Sequence, residues 1–244
     1  MAKVAVVIPA AGAGKRFGGE VRKPFAKIDN RPVFIRSIEL FVNRPDVQQV
    51  ILAVAPADYD VVKEKYAANL MFMGITLAKG GSERHQSVRA ALDAVADDAE
   101  LICVHDAVRP CVLPGWIDKV FAKAEQTGAA ILAAPLTGTI KRGADGRIVE
   151  TVPREGLYEA QTPQVFRKAL LIEAYADLPE DFHPTDDAQV VERTGQPVAI
   201  VEADRRNLKI TTGGDMTLAA AILKDFARQT RKAAPRGPFE EAQW

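Results

Sequence analysis

The sequence is poor in cysteine, has no net charge and contains no long apolar run. Each absence narrows what the protein can do. Cys103 and Cys111 are its only cysteines. The first lies in an apolar, strand-like stretch and the second follows Pro110, so two free thiols are expected. No CxxC pair or Cys/His cluster suggests a zinc site, and His85 and His183 are not at ligand spacing. Thirty-two basic residues balance thirty-two acidic ones. A neutral chain has no overall field for grasping DNA or a membrane surface, so neither is an expected partner, and an anion must be met by a local patch. No run reaches the ~18 apolar residues of a membrane span. The start, MAKVAVVIPAAG, lacks the basic n-region and long apolar h-region of a secretion signal. A cytoplasmic location is the expectation.

What is present is a rhythm. The 244 residues, 48% of them hydrophobic, suffice for one large α/β domain. Val4–Ile8, Val50–Ala55, Ile75–Ala78, Leu101–His105 and Ala129–Ala134 read as buried strands. Pro32–Val42, Tyr59–Leu70, Ser87–Val95 and Trp116–Ala124 are apolar at helical spacing. Continuous apolar strands alternating with helices predict a mostly parallel, twisted sheet with helices on both faces. Ligands of such sheets gather outside the carboxyl ends of the strands. The loops after Ile8, Ala78 and His105 should therefore line one crevice.

The rhythm breaks at residues 137–165. This stretch is polar, and TIKR and RIVETV flank a turn signal at Ala144-Asp145-Gly146. It reads as a hairpin projecting as an arm, which packs on another subunit if it cannot bury both faces alone. Phe166–Leu178 and Asp186–Arg193 then read as helices, and Pro197–Glu202 and Asn207–Ile210 as strands. Thr212 and Asp215 form a capping pattern before a helix from Met216 to about Arg231. The expected organisation is one domain over residues 1–231, with a flexible tail at 232–244 and no internal repeat.

The first loop carries the strongest local signal. Between Gly12 and Lys27 lie Lys15, Arg16, Arg22, Lys23 and Lys27 against one acid, Glu20. Gly12, Gly14, Gly18 and Gly19 let backbone N–H groups approach a ligand. Cations and backbone donors directly after a first strand describe a polyphosphate site; a solvated charged loop is the plainer alternative. A Walker loop is excluded, because Pro9 stands where the first glycine belongs and Arg16 follows Lys15. A dinucleotide fingerprint is excluded by Phe17 at its third glycine.

Six further segments follow in order: GGSERHQSV at 80–88, HDAVRPCV at 105–112, APLTGTIKR at 134–142, EAQTPQVF at 159–166, TDDAQVVE at 185–192 and NLKITTGGDM at 207–216. With PAAGAGKRF, this set resembles the 2-C-methyl-D-erythritol 4-phosphate cytidylyltransferases of the non-mevalonate isoprenoid pathway. The likeness runs from about residue 4 to 228. It implies a Rossmann-like three-layer nucleotidyltransferase fold, CTP and methylerythritol phosphate as substrates, Mg²⁺ as cofactor and a homodimer formed through the arm.

The resemblance also implies roles. Arg16, Lys23 and Lys209 match phosphate-binding catalytic residues, with Lys15 beside them. The family commonly reads Pro-Lys-Gln where this chain has Arg22-Lys23-Pro24; alignment on Phe25 puts Lys23 in register, whereas a shifted loop would promote Arg22 or Lys27. Ala10, Ala11, Gly12 and Gly14 match the nucleotide-binding strand end. Gly81, Ser82 and Ser87 match the cytosine contacts, although Ser82 stands where an aspartate is common and helix-start chemistry would also explain both serines. Asp106 matches a Mg²⁺ ligand that also touches substrate hydroxyls; a loop-capping aspartate is the alternative. Arg109 matches a substrate contact or braces its turn, and His105 packs or hydrogen-bonds beneath the site. Thr139, Arg154 and Thr162 match the binders of methylerythritol phosphate, while an ion pair with Glu155 or Glu159 would equally occupy Arg154. Thr185 and Asp186 match a helix start near the substrate, where a cap alone would account for them.

The nearest rival within enzymes is a ribitol-5-phosphate cytidylyltransferase, which more often resembles Leu-Ala-Gly-Gly where this chain has Pro9-Ala10-Ala11-Gly12. Another nucleotidyltransferase and a nucleotide-binding regulator without turnover are more distant readings. Related enzymes can carry a downstream cyclase domain; none is expected after Trp244.

Overall fold

The computed structural model describes residues 2–11 and 23–233, and for residues 230–233 only the backbone. The basic loop with Gly12, Gly14, Lys15 and Arg16 lies outside the described residues, as does the tail from residue 234.

Eleven strands and eight helices are found among the described residues. In chain order they are β1 (Val4–Pro9), β2 (Lys27–Ile28), β3 (Arg31–Pro32), α1 (Val33–Glu39), β4 (Val47–Val54), α2 (Pro56–Lys65), α3 (Ala67–Phe72), β5 (Ile75–Lys79), α4 (Arg84–Leu92), β6 (Leu101–Val104), α5 (Pro114–Thr127), β7 (Ala129–Pro135), β8 (Ile140–Ala144), β9 (Arg147–Val152), β10 (Tyr158–Arg167), α6 (Lys168–Ala176), α7 (Asp187–Glu192), β11 (Ala199–Glu202) and α8 (Gly213–Ala233). Seven strands form the main sheet in the order β11-β7-β10-β6-β1-β4-β5. Only β10 runs antiparallel to its neighbours.

Strand alternation builds the layers. Val4, Val6 and Ile8 of β1 face a core with Phe34 and Ile38 of α1 and Val120 and Phe121 of α5. Ala5 and Val7 face the opposite core, with Val88 and Leu92 of α4, Leu171 and Tyr175 of α6 and Val190 of α7. A smaller cluster seats Ala219 and Phe226 of α8 against Ile28, Val33, Val108 and Ile210. Both cysteines are buried free thiols.

Several expected elements differ. The helix expected at Tyr59–Leu70 is two helices, with a break at Tyr66, whose ring packs edge-on to Phe34. The arm is shorter than residues 137–165. Only β8 and β9 form a separate hairpin, and residues 158–167 belong to the main sheet between β6 and β7. The next helix accordingly starts at Lys168 rather than Phe166. Asn207–Ile210 is not a strand; the segment is fastened by single bonds, including Ile210 N–H to the Val108 carbonyl at 2.9 Å. On the hairpin, Ile148 and Val149 are exposed and find no cover among the described residues.

Helix α5 ends at Gly128, whose φ of 88° is left-handed and whose N–H caps the Ala124 carbonyl. Gly128→Ala meets no close atom, yet is expected to destabilise the protein by about 1–2 kcal/mol through left-handed strain. Urea unfolding of the variant checks this; unchanged stability would contradict it.

Candidate active site

The crevice lies where the strand order reverses. β1 has β6 on one side and β4 on the other, and a cavity of about 140 Å³ opens beyond their carboxyl ends. It is lined by Pro9–Ala11 at the end of β1, Lys23 and Pro24, Arg84 at the start of α4, Asp106–Val108 after β6, and Lys209. Three cations and one carboxylate therefore meet over small apolar residues.

Local packing explains how each group arrives. Ala10 N–H bonds the Ala53 carbonyl at 2.7 Å, which holds the strand end against β4. Lys23 begins a short 3₁₀ turn, Lys23–Phe25. Phe25 anchors that turn, lying edge-on to Phe34 at 5.6 Å and stacked with Tyr66 at 6.2 Å between ring centroids. Lys209 sits between Asn207, whose carbonyl accepts from Arg109 Nη1 at 2.8 Å, and Ile210.

Asp106 is the hub. Arg84 Nε bonds its Oδ1 at 3.0 Å, while Lys209 Nζ at 2.9 Å and Arg109 Nε at 3.2 Å reach Oδ2. Arg84 also reaches Asp187 Oδ2 at 2.7 Å, and Tyr175 donates its hydroxyl to Asp187 Oδ1 at 2.6 Å. Burial alone would raise the Asp106 carboxyl; the charges of Arg84, Lys209 and Arg109 outweigh it and hold the group well below the usual carboxylate range. Burial likewise opposes the charge of Arg84, but Asp187 and Asp106 keep it firmly protonated.

Beneath Asp106 the donors run one way. Asp106 N–H donates to Thr162 Oγ1 at 3.0 Å, and Thr162 Oγ1 lies 3.0 Å from His105 Nδ1. His105 Nε2 lies 3.0 Å from the Arg109 carbonyl, which only accepts, so Nε2 carries the proton and Nδ1 accepts from the threonine hydroxyl. His105 also packs on Phe41 at 5.2 Å. It both packs and hydrogen-bonds.

The remaining candidates sort by position. Ala10, Ala11, Lys23, Asp106 and Lys209 come together. Arg109 is buried against Asp106 and Asn207, bracing the turn. Thr162 is also buried, and its hydroxyl is occupied by Asp106 and His105, so it supports the carboxylate rather than facing the cavity. Ser87 is fully buried; its hydroxyl accepts from Gly81 N–H at 3.1 Å and donates to the Glu83 carbonyl at 3.0 Å. Gly81 has no room for a side chain, since a Cβ would lie 2.4 Å from that of Gln86. Ser82 is exposed and bonds Gln86 Oε1, which is helix-start chemistry. Thr185 bonds Gln189, and Asp186 caps α7 by accepting from Gln189 N–H at 3.0 Å and from Gln164 Nε2 at 2.8 Å. Thr139 and Arg154 are exposed at the arm's base and are not among the described residues lining the cavity; Arg154 donates to the Thr137 carbonyl, not to Glu155 or Glu159.

Sequence reasoning missed Arg84, which lies inside GGSERHQSV, and Asp187, the second aspartate of TDDAQVVE. The doubled aspartate was the available signal. It also judged His85 and His183 to be at no ligand spacing. The fold brings their rings to 5.8 Å, with Glu83 beside both.

The family model for 2-C-methyl-D-erythritol 4-phosphate cytidylyltransferase matches residues 4–225. The chain belongs to this family. Proteins of that description from Rhodopirellula baltica and Desulforamulus reducens are 44% and 38% identical over 235 and 227 residues. Those matches cover 92% of this chain in each case, and 96% and 97% of the relatives. The crystal structure of 2-C-methyl-D-erythritol 4-phosphate cytidylyltransferase from Thermus thermophilus superposes with a TM-score of 0.75 at 32% identity, covering 90% of this chain and 98% of that one. The chain is thus a nucleotidyltransferase that joins CTP to 2-C-methyl-D-erythritol 4-phosphate. The ribitol-phosphate alternative is not favoured. No helix among the described residues is long and apolar enough to cross a membrane.

Burial lowers the His105 pKa from 6.5 to about 4. The unfolded chain therefore binds a proton between these values that the folded chain refuses. The contribution to stability is present above pH 6.5 and is lost as pH falls toward 4, by about 3 kcal/mol in all. Denaturant unfolding at pH 7, 5.5 and 4.5 should show this slope, and His105→Gln should flatten it; parallel slopes would contradict the assignment.

Proposed function

We propose that Lys23 and Lys209, in the cavity beside Asp106, hold the triphosphate of CTP and stabilise its transfer state, with Ala10 and Ala11 beneath the nucleotide. The supporting observation is the convergence of Lys23, Arg84 and Lys209 on one cavity at the reversal of strand order. The nucleophile in this reading is a phosphate oxygen of methylerythritol phosphate. It forms a bond to the α-phosphorus of CTP while the bond to the bridging oxygen breaks, and pyrophosphate leaves with the electron pair. Because the attacking oxygen is already an anion, no serine, cysteine or strong base is needed. The protein's task is to bring two anions together and to meet the charge that spreads during transfer.

Lys23 and Lys209 supply cationic heads at the cavity, together with Arg16 and Lys15 in the reading of the sequence. Lys209 is part-exposed and paired with Asp106, so it can turn from carboxylate to phosphate when the nucleotide enters. Arg84 and Arg109 stay with Asp106 and keep its carboxylate aimed.

Mg²⁺ fits Asp106 on donor chemistry. An ionised carboxylate offers about four lone-pair sites, and Arg84, Arg109 and Lys209 engage three here. When bound, the metal would offset the charge of the phosphates, a task for which one carboxylate ligand suffices. Thr139 and Arg154 serve a neighbouring subunit's site in this reading, with the exposed hairpin as the contact of a homodimer; Arg154 can fork onto phosphate oxygens.

Two outcomes are expected. Pyrophosphate should appear when CTP, Mg²⁺ and methylerythritol phosphate are combined, and Lys209→Ala should slow it by about 10²–10³. Turnover of ribitol 5-phosphate without turnover of methylerythritol phosphate would overturn the substrate assignment. Inactive Lys23→Ala and Arg154→Ala proteins, refolded together, should regain activity because one site of the mixed dimer is intact. No recovery despite proven subunit exchange would count against an arm acting in trans.

A further inference from the structure

A second constellation lies beside Arg84. Glu83 precedes α4, His85 is in its first turn, and His183 comes from the segment between α6 and α7, a hundred residues from Glu83 in sequence. His183 Nδ1 lies 3.0 Å from Glu83 Oε2, and His85 Nδ1 lies 3.4 Å from the same oxygen. Among the described residues this is the only group of three His, Cys, Asp or Glu side chains whose ligand atoms all fall within 4.8 Å of one another.

Three observations favour a cation here over a simple hydrogen-bonded pair. Two imidazoles turn the same ring nitrogen toward one carboxylate oxygen, although a single hydrogen bond would need only one of them. Tetrahedral ligands at the ~2.0–2.1 Å bonds of Zn²⁺ stand about 3.3–3.4 Å apart, and the two imidazole–carboxylate separations, 3.0 and 3.4 Å, lie close to that edge. Access is open as well: the side chains of Glu83 and His183 are 48% and 64% exposed, whereas His85 is 12% exposed and fixed by the fold. Two imidazoles and one carboxylate suit a borderline divalent cation and leave a position for water; Mg²⁺ prefers an all-oxygen octahedron.

We propose that Glu83, His85 and His183 bind one borderline divalent cation of the Zn²⁺ class, separately from the Mg²⁺ at Asp106, and that this ion clips the segment ahead of α7 onto the start of α4. The clip fastens the two elements that carry Arg84 and its partner Asp187. It does not depend on which substrate the neighbouring cavity takes.

The test is calorimetric titration of the metal-free full-length chain with Zn²⁺ and, separately, with Mg²⁺. One Zn²⁺ per chain is expected, retained against excess Mg²⁺ and accompanied by a rise in Tm. His183→Ala and Glu83→Gln, both at exposed side chains, should each weaken Zn²⁺ by at least about 10–100-fold, the loss that removing even an outer-shell partner causes. Co²⁺ used as a probe should give visible absorption in the parent chain and lose it in His183→Ala. The proposal is overturned if the parent chain binds no stoichiometric Zn²⁺, if Mg²⁺ displaces it at equal concentration, or if both variants bind as the parent does.

Discussion

The structure of the site depends on one buried charge balance. Asp106 is nearly inaccessible and faces three cations, of which Arg84 is shared with Asp187. Removing one partner from such a set leaves an uncompensated charge in low dielectric, which typically costs about 3–5 kcal/mol. The balance also fixes geometry. Arg84 ties the start of α4 to the loop after β6 and the start of α7, three elements distant in sequence. The crevice is preformed because its charges satisfy one another before any ligand arrives.

A neutral protein can thus bind a highly charged substrate by local arrangement. The cations are not spread on a surface where salt would screen them. They converge on a cavity floored by Ala10 and Ala11, where Lys209 is engaged with the Asp106 carboxylate. The supporting groups below, Thr162 and His105, remain neutral and orient the carboxylate through its own backbone N–H.

Much of the scaffold was legible in the sequence because the central strands are continuous apolar runs, as in Val4–Pro9 and Leu101–Val104. β10 was not. Gln161, Thr162 and Gln164 are polar and buried, and they bond Asp204, Asp106 and α7. A strand that spends its inward positions on such bonds does not look like one by hydropathy, so it was read as part of the arm. NLKI at 207–210 erred in the other direction: it alternates like a strand, but its backbone is taken up by Arg109 and Val108. Lys23, Asp106 and Lys209 could be placed from short segments. Arg84 could not, because its partners lie 22 and 103 residues away and nothing near it in the chain points to them.

The hairpin leaves and rejoins the sheet at a single point. Pro135 and Tyr158 are register partners on adjacent strands, and Leu136 N–H meets the Leu157 carbonyl at 3.1 Å directly above them. Beyond that closure the chain leaves the main sheet and forms the separate β8–β9 hairpin. The rungs from Pro135–Tyr158 downward are set by β7 and β10 themselves, so the path of the projection beyond the closure leaves their register unchanged.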